Sequence, residues 1–92
     1  MSVKQARVKV TGRVQGVFFR ANTLEMARSL GLSGWVKNNL DGSVSALFQG
    51  DDGLVERAIL WCHDGPPSSH VTDVKVEYDE VTEELRSFSV TY

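Results

Sequence analysis

The sequence predicts an α+β fold in which two strand-helix-strand units are joined through a hairpin. Three observations lead to it: runs with strand-like alternation, two runs with helical spacing, and an Asp-Gly turn between the middle strands. In chain order these give strand, helix, strand, strand, helix and strand, with a final strand run at the C-terminal end. This order is the split βαβ, or ferredoxin-like, arrangement (βαββαβ), an antiparallel sheet with two helices on one face.

Two different periods predict the first strand and the first helix. Ala6, Val8 and Val10 alternate with polar residues, which is typical of a half-buried strand. Apolar residues then recur about every three positions as far as Gly31, as on a short amphipathic helix. The apolar positions of this helix are Ala21, Leu24, Ala27 and Leu30.

A hairpin and a second helix follow. Gly34 to Asn39 and Ser43 to Phe48 read as strands, and the Asp-Gly between them is a strong hairpin signal. From residue 51 to residue 64 apolar positions fall at i, i+3, i+4 and i+7, which predicts a second amphipathic helix. These positions are Val55, Ala58, Ile59 and Cys62. The sequence Gly-Pro-Pro at 65–67 ends the helix, because proline cannot continue the hydrogen-bond ladder.

Two alternating runs close the chain. Val74, Val76 and Tyr78 form the first, and residues 88–92 form the second after an acidic stretch that reads as a solvated loop. Periodicity alone leaves open whether these runs make one bent strand or a hairpin.

Composition limits the classes of protein. The 92 residues predict one domain, 1–92. A formal charge of −2 argues against a general nucleic-acid binder. No membrane-length or signal-like apolar run occurs, so we expect a cytoplasmic protein with no membrane partner. The single cysteine, Cys62, and the lack of zinc spacing predict no internal disulfide and no metal site.

The most informative segment is residues 12–20, Gly-Arg-Val-Gln-Gly-Val-Phe-Phe-Arg, between the first strand and the first helix. A loop in this position can turn backbone N–H groups toward one anion, aided by the helix dipole. Arg20 would add a planar fork that can bind two oxygens. The alternative is that Gly12 and Gly16 only shape a turn and that Arg20 is a solvated residue of the first helical turn.

Four other residues are candidates for a chemical role. Asn38 lies near a strand end, where its amide could point toward the Arg20 loop or satisfy the backbone of the turn. Cys62 lies on an apolar stripe and reads as a buried thiol. His63 and His70 read as surface residues.

The motifs resemble those of the acylphosphatases. The resemblance rests on residues 12–20, on Leu-Gly-Leu-Ser-Gly-Trp-Val-Lys-Asn at 30–38 and on Asp-Gly-Ser-Val at 41–44, with Gly-Pro-Pro at 65–67 and Phe-Ser-Val-Thr-Tyr at 88–92. It covers essentially the whole chain. It implies the ferredoxin-like fold and hydrolysis of the carboxyl-phosphate bond of acyl phosphates, with no metal and no cofactor.

The resemblance also implies roles for particular residues. Arg20 and Asn38 would be catalytic, with Arg20 binding the phosphoryl group and Asn38 positioning water. The backbone N–H groups of a phosphate-binding loop would assist: Gln15, Gly16, Val17, Phe18, Phe19 and Arg20. Asn39 departs from the serine or threonine common after the catalytic asparagine, which puts a hydroxyl contact there in doubt.

Partners follow from the same resemblance. The substrate would be a small-molecule acyl phosphate, with inorganic phosphate or sulfate as a product-like ligand, and we expect a monomer. No residue set marks a selective acyl pocket, so we expect a loose preference for the acyl group. The final strand should lie in the same sheet as the site, and the Tyr92 carboxylate could then orient Arg20.

Two rival functions remain open at the level of sequence. An RNA-binding module shares the βαββαβ order, but Ser43, Ser45 and Leu47 give its central strand no aromatic stacking platform. A non-catalytic phosphate-binding or anion-binding module of the same fold is the second rival. The presence of both Arg20 and Asn38 argues against it, because a pure binder has no evident need to position water.

Overall fold

Two helices pack on one face of a five-stranded sheet in the computed structural model, which describes residues 3–91. The elements are β1 (Val3–Arg13), α1 (Phe19–Ser29), β2 (Ser33–Asn38), β3 (Val44–Asp51), α2 (Asp52–Asp64), β4 (His70–Asp79) and β5 (Phe88–Val90). The element types and their order agree with the sequence-based prediction. The third strand is longer than predicted, because its pairing with β1 continues as far as Asp51.

The strands lie in the order β4-β1-β3-β2-β5. The first four are antiparallel to their neighbours, which confirms the ferredoxin-like arrangement. The last strand adds a parallel pair at the edge, with Gly34 opposite Phe88 and Val36 opposite Val90. The sheet is therefore antiparallel except at this one edge.

The core lies between the helices and one face of the sheet. Alternation in β1 buries Ala6, Val8 and Val10 on this face and leaves Arg7 and Lys9 exposed on the other. One apolar cluster joins both layers: Ala6, Val8, Val10, Val14, Val17, Phe19, Ala27, Leu32, Val36, Val44, Ala46, Phe48, Val55, Ala58, Ile59, Cys62 and Phe88. Because this cluster backs both the loop before α1 and the end of β2, it fixes their relative position.

The last two strand runs form neither a bent strand nor a hairpin. They lie at opposite edges of the sheet, β4 beside β1 and β5 beside β2. The connection between them crosses the sheet and is held by the Gln49 side chain, whose Nε2 donates to Glu83 O at 2.8 Å and whose Oε1 accepts from Leu85 N–H at 2.7 Å. Local alternation could not reveal this separation, because it contains no information about the partner strand.

Within residues 3–91 neither helix is long and apolar enough to cross a membrane.

Two backbone hydrogen bonds around Gly31 close the end of α1. At the end of α1, Gly31 adopts φ 72°, its N–H donates to Arg28 O at 3.0 Å, and Leu32 N–H donates to Ala27 O at 2.9 Å. This pair of bonds is the Schellman motif, which turns the chain from α1 into β2.

Substituting Gly34 by alanine should destabilise the protein more than the same change at Gly31. Both residues have positive φ, but a Cβ at Gly34 would overlap the Leu47 carbonyl oxygen, whereas a Cβ at Gly31 meets open space. We expect Gly31→Ala to cost roughly 1–2 kcal/mol, from backbone strain alone. Gly34→Ala should cost more than about 3 kcal/mol, because strain and overlap add. Urea unfolding of both variants measures the difference, and equal losses would contradict the packing described for β2 and β3.

Candidate active site

The loop between β1 and α1, residues 14–18, is called the anion loop below and curls at two left-handed positions. Gly16 has φ 72° and Phe18 has φ 61°. Backbone that turns through the left-handed region in this way directs successive N–H groups toward one concave side, which forms a nest for an anion. The loop leads directly into the first turn of α1.

The N-terminus of α1 is open to an anion. Within the described chain Phe18 makes no side-chain capping bond, and the first turn holds no acidic residue. In α2, by contrast, Asp51 Oδ2 accepts a hydrogen bond from Gly53 N–H at 3.1 Å, and Asp52 lies in the first turn. Because the first N–H groups of a helix need acceptors and the dipole is positive there, α1 offers both donors and positive potential beside the loop.

A cavity of about 350 Å³ joins this loop to the end of β2. Five predicted site residues line it: Gly16, Phe18, Phe19, Arg20 and Asn38. The rest of the lining is apolar: Val14, Ala21, Leu24 and Val90. The structure thus brings Arg20 and Asn38 together, although they are 18 positions apart in the sequence. Gln15 and Val17, the other two predicted loop residues, are not among the lining residues.

Strand alternation directs Asn38 toward the helices. Gly34 and Val36 are buried on the helix side of β2, and Asn38 continues that side at the strand's last position. Asn38 Oδ1 is buried and accepts no hydrogen bond from the described residues. An unpaired buried acceptor of this kind costs about 1–3 kcal/mol. Because Asn38 lines the cavity, a ligand or water bound there is the candidate partner of this oxygen.

Other residues satisfy the turn that follows β2. Ser43 N–H donates to Asp41 Oδ1 at 2.9 Å, and the Ser43 hydroxyl donates to the same oxygen. These hydrogen bonds, together with Lys9 Nζ at 3.0 Å from Asp41 Oδ2, hold the pKa of Asp41 well below its usual value. The turn therefore does not use the Asn38 side chain, which was one of the two readings of that residue.

Asn39 faces the open side of the sheet. Its Nδ2 donates to Ser43 Oγ and to Ser45 Oγ, each at 2.8 Å. The residue that departs from the family pattern is thus held away from the cavity, on the side opposite Asn38. Its contacts brace the hairpin that carries Asn38.

The Gln15 side chain ties the loop to this hairpin. Its Nε2 donates to Asn39 O at 2.7 Å and to Ser43 O at 2.8 Å. Sequence reasoning assigned Gln15 only a backbone N–H and missed this role. No local signal could have revealed it, because both acceptors are main-chain atoms at least 24 positions away.

A second brace comes from the loop after α2. Ser68 Oγ donates to Val17 O at 3.1 Å. The Phe19 ring packs against Trp61, with their centroids 5.5 Å apart, and a Cβ on Gly65 would collide with that ring. The segment from Gly65 to Ser68 therefore packs against the anion loop and the start of α1, in addition to ending α2.

The remaining candidate residues lie outside the cavity. Cys62 is buried, and burial raises the pKa of its thiol to about 12, so the thiol stays neutral near pH 7. His63 and His70 are exposed, as predicted, and neither lines the cavity. Tyr92, whose carboxylate was expected to orient Arg20, lies outside the described residues.

Known proteins share this sequence and this fold. The model of the Acylphosphatase family matches residues 6–90. An acylphosphatase of Pelotomaculum thermopropionicum is 42% identical over 92 residues, 100% of each chain. One of Nostoc sp. is 55% identical over 86 residues, 94% of this chain and 84% of the relative. The crystal structure of acylphosphatase from Bacillus subtilis matches with a TM-score of 0.93 at 37% identity, covering 99% of this chain and 100% of that one.

These matches include the anion loop, the end of β2 and the whole sheet, so they concern the same residues that build the cavity. The resemblance noted in the motifs is confirmed by the family match and by the comparison of folds. The chain belongs to the acylphosphatase family and is an enzyme that hydrolyses acyl phosphates.

Proposed function

We propose that Arg20 and the N–H groups of residues 15–20 bind the phosphoryl group of the acyl phosphate, and that Asn38 positions the attacking water. The observation that carries this proposal is that Arg20 and Asn38 line one cavity, and that Asn38 Oδ1 is buried with no hydrogen-bond partner among the described residues. A guanidinium can donate to two phosphoryl oxygens at once, and the curled loop supplies further donors around the same point. The cavity volume of about 350 Å³ suits a small ligand.

Asn38 acts on the water through its amide oxygen. If Oδ1 accepts one O–H of the water, the water is held with a lone pair available for phosphorus. Attack in line with the departing oxygen then forms the new P–O bond while the bond to the acyl oxygen breaks. The Asn38 backbone is held at the end of β2 by its pairing with Val44, so the direction of its side chain is set before the substrate binds.

The leaving group explains why so few residues are enough. The P–O electron pair leaves on a carboxylate, whose conjugate acid has a pKa of about 4, so no general acid is needed at neutral pH. Phosphoryl transfer through a loose transition state mainly requires positioning and stabilisation of charge on the equatorial oxygens. Arg20 and the loop N–H groups supply both, and this chemistry proceeds without a metal.

The water must also lose a proton. Among residues 3–91, no histidine, aspartate or glutamate lines the cavity. We infer that a phosphoryl oxygen of the substrate takes the proton, which gives a carboxylate and inorganic phosphate as products. Substrate-assisted transfer fits a site whose polar side chains are an arginine and an asparagine.

We further infer that residues 1–92 act as one domain, as a monomer in the cytoplasm. One apolar cluster draws on both layers of the fold, which supports a single folding unit. The large exposed apolar side chains are spread over separate elements, which supports a monomer; they are Val3, Phe18, Leu40, Leu60 and Tyr78. A single buried thiol fits a reducing compartment.

Arg20→Ala and Asn38→Ala should lose activity in different ways. Removing a preorganised donor to the transition state costs about 10²–10³ in rate, so Arg20→Ala should lose at least that much and also lose inhibition by phosphate. Asn38→Ala should lower kcat and leave phosphate inhibition nearly unchanged, because its partner is water. The assay is hydrolysis of benzoyl phosphate in the presence of a metal chelator, beside an ordinary phosphate monoester as a control substrate. Equal loss of phosphate inhibition in both variants would contradict the role given to Asn38.

The pH dependence of kcat tests the source of the base. If a substrate oxygen takes the proton, kcat should show no ascending limb between pH 5 and pH 8, because no enzyme base titrates in that range. Initial rates at saturating benzoyl phosphate across this range measure it in wild type and in Asn38→Ala. A clear ascending limb in the wild-type enzyme, with a midpoint that differs from the phosphoryl pKa of the substrate itself, would show that a protein group removes the proton.

Gln15→Met should loosen the anion loop. The change keeps the length of the side chain but removes both donors, while Asn39 O keeps Gly42 N–H and Ser43 O keeps Asn39 N–H. We expect a loss of roughly 1–2 kcal/mol in unfolding free energy, and about tenfold weaker phosphate inhibition, because the N–H groups are less well aligned. Gln5→Met is the matched control, since it removes a side-chain bond to Gln49 away from the cavity. If phosphate inhibits Gln15→Met as strongly as it inhibits Gln5→Met, Gln15 supports only the fold.

A further inference from the structure

Phe18 is a residue that the fold itself does not explain. Its backbone has φ 61° and ψ 23°, the left-handed conformation that a bulky side chain rarely adopts. Its side chain gains little from burial, since it is 78% exposed. Asparagine or glycine would suit this backbone better, and a polar residue would suit this exposure better.

The neighbouring structure holds Phe18 in this strained conformation. Phe18 O accepts two hydrogen bonds from Asn22, one from the backbone N–H at 3.0 Å and one from Nδ2 at 2.8 Å. Phe19 follows directly and is anchored in the core. Strain that is maintained by surrounding contacts at a binding site is a reason to look for a function of the strained residue.

The position of the ring indicates that function. Phe18 lines the same cavity as Arg20, and so do Ala21, Leu24 and Val90. Arg20 and Leu24 are four residues apart on α1 and are therefore neighbours on one side of the helix. A phosphoryl group held by Arg20 thus lies beside apolar surface contributed by the loop, α1 and β5.

We propose that Phe18, Ala21, Leu24 and Val90 form an acyl-binding wall, and that Phe18 determines the preference for the acyl group. The wall contacts the part of the substrate beyond the scissile bond and favours aromatic or extended apolar acyl phosphates over acetyl phosphate. The exposed Phe18 ring loses water when such an acyl group packs on it, which offsets the cost of its exposure in the free enzyme. This proposal rests on the proposed binding of the phosphoryl group by Arg20 and the loop, and it replaces the loose preference expected from the sequence.

Phe18→Asn tests the wall without disturbing the fold, because asparagine tolerates the left-handed backbone. The measured quantity is the ratio of kcat/KM for benzoyl phosphate to kcat/KM for acetyl phosphate. Both substrates carry the same phosphoryl group, so the ratio isolates the acyl group. We expect the ratio to fall about tenfold, while thermal unfolding shows no loss of stability. Phe18→Tyr keeps the ring and should keep the ratio within about twofold, as should Leu60→Gln, which removes an exposed apolar side chain outside the cavity.

A second measurement needs no variant. Phenylphosphonate and methylphosphonate present the same kind of anion and differ in the apolar group attached to it. Phenylphosphonate should inhibit the wild-type enzyme at about tenfold lower concentration. Equal inhibition by the two phosphonates would contradict the proposed acyl-binding wall. An unchanged ratio of kcat/KM for benzoyl phosphate to kcat/KM for acetyl phosphate in Phe18→Asn would also contradict it. Failure of the Arg20 assignment is a separate result, since it would appear as phosphate inhibition retained in Arg20→Ala whatever the substrate ratio.

Discussion

Two hydrogen bonds from the Gln15 side chain hold the two halves of the candidate active site together. One half is the curled loop and the first turn of α1, which carry the N–H groups and Arg20. The other half is the end of β2, which carries Asn38. The bonds from Gln15 Nε2 to Asn39 O and Ser43 O connect a loop to a hairpin that is remote in sequence. Catalysis by positioning depends on the distance between such parts. These two hydrogen bonds therefore affect the rate of the proposed reaction as well as the stability of the fold.

The site also illustrates how an enzyme can rely on unsatisfied groups. α1 lacks the side-chain cap that α2 has, and Asn38 Oδ1 is buried without a partner among the described residues. Each of these features lowers the stability of the free protein, and the left-handed Phe18 adds to the cost. In the proposed mechanism, a substrate with three phosphoryl oxygens and an accompanying water would satisfy several of them at once. The native state is therefore less stable than the fold would permit, in exchange for a preorganised site.

Local pattern was enough to predict most of the fold, and the site was predicted through motif resemblance. Alternation and helical spacing identified β1, α1 and α2, because each buries one face against the same core. The relative position of β4 and β5 could not be predicted, because strand pairing is decided by contacts across the sheet rather than within a strand. The same limit hid the side-chain role of Gln15. Spacing alone could not show whether Asn38 or Asn39 faces the cavity, because this depends on which residue continues the buried side of β2. In the structure that residue is Asn38.

The placement of β5 has a consequence for how the enzyme becomes active as it folds. β5 pairs in parallel with β2, more than 50 positions earlier in the chain, and Val90 lines the cavity. Contacts this distant in sequence carry a large loop-closure cost and tend to form slowly. The helices and the central hairpin can assemble from nearer contacts, but the cavity is complete only after the last strand has docked. A phosphate-containing ligand that binds only the finished cavity would therefore stabilise the docked strand.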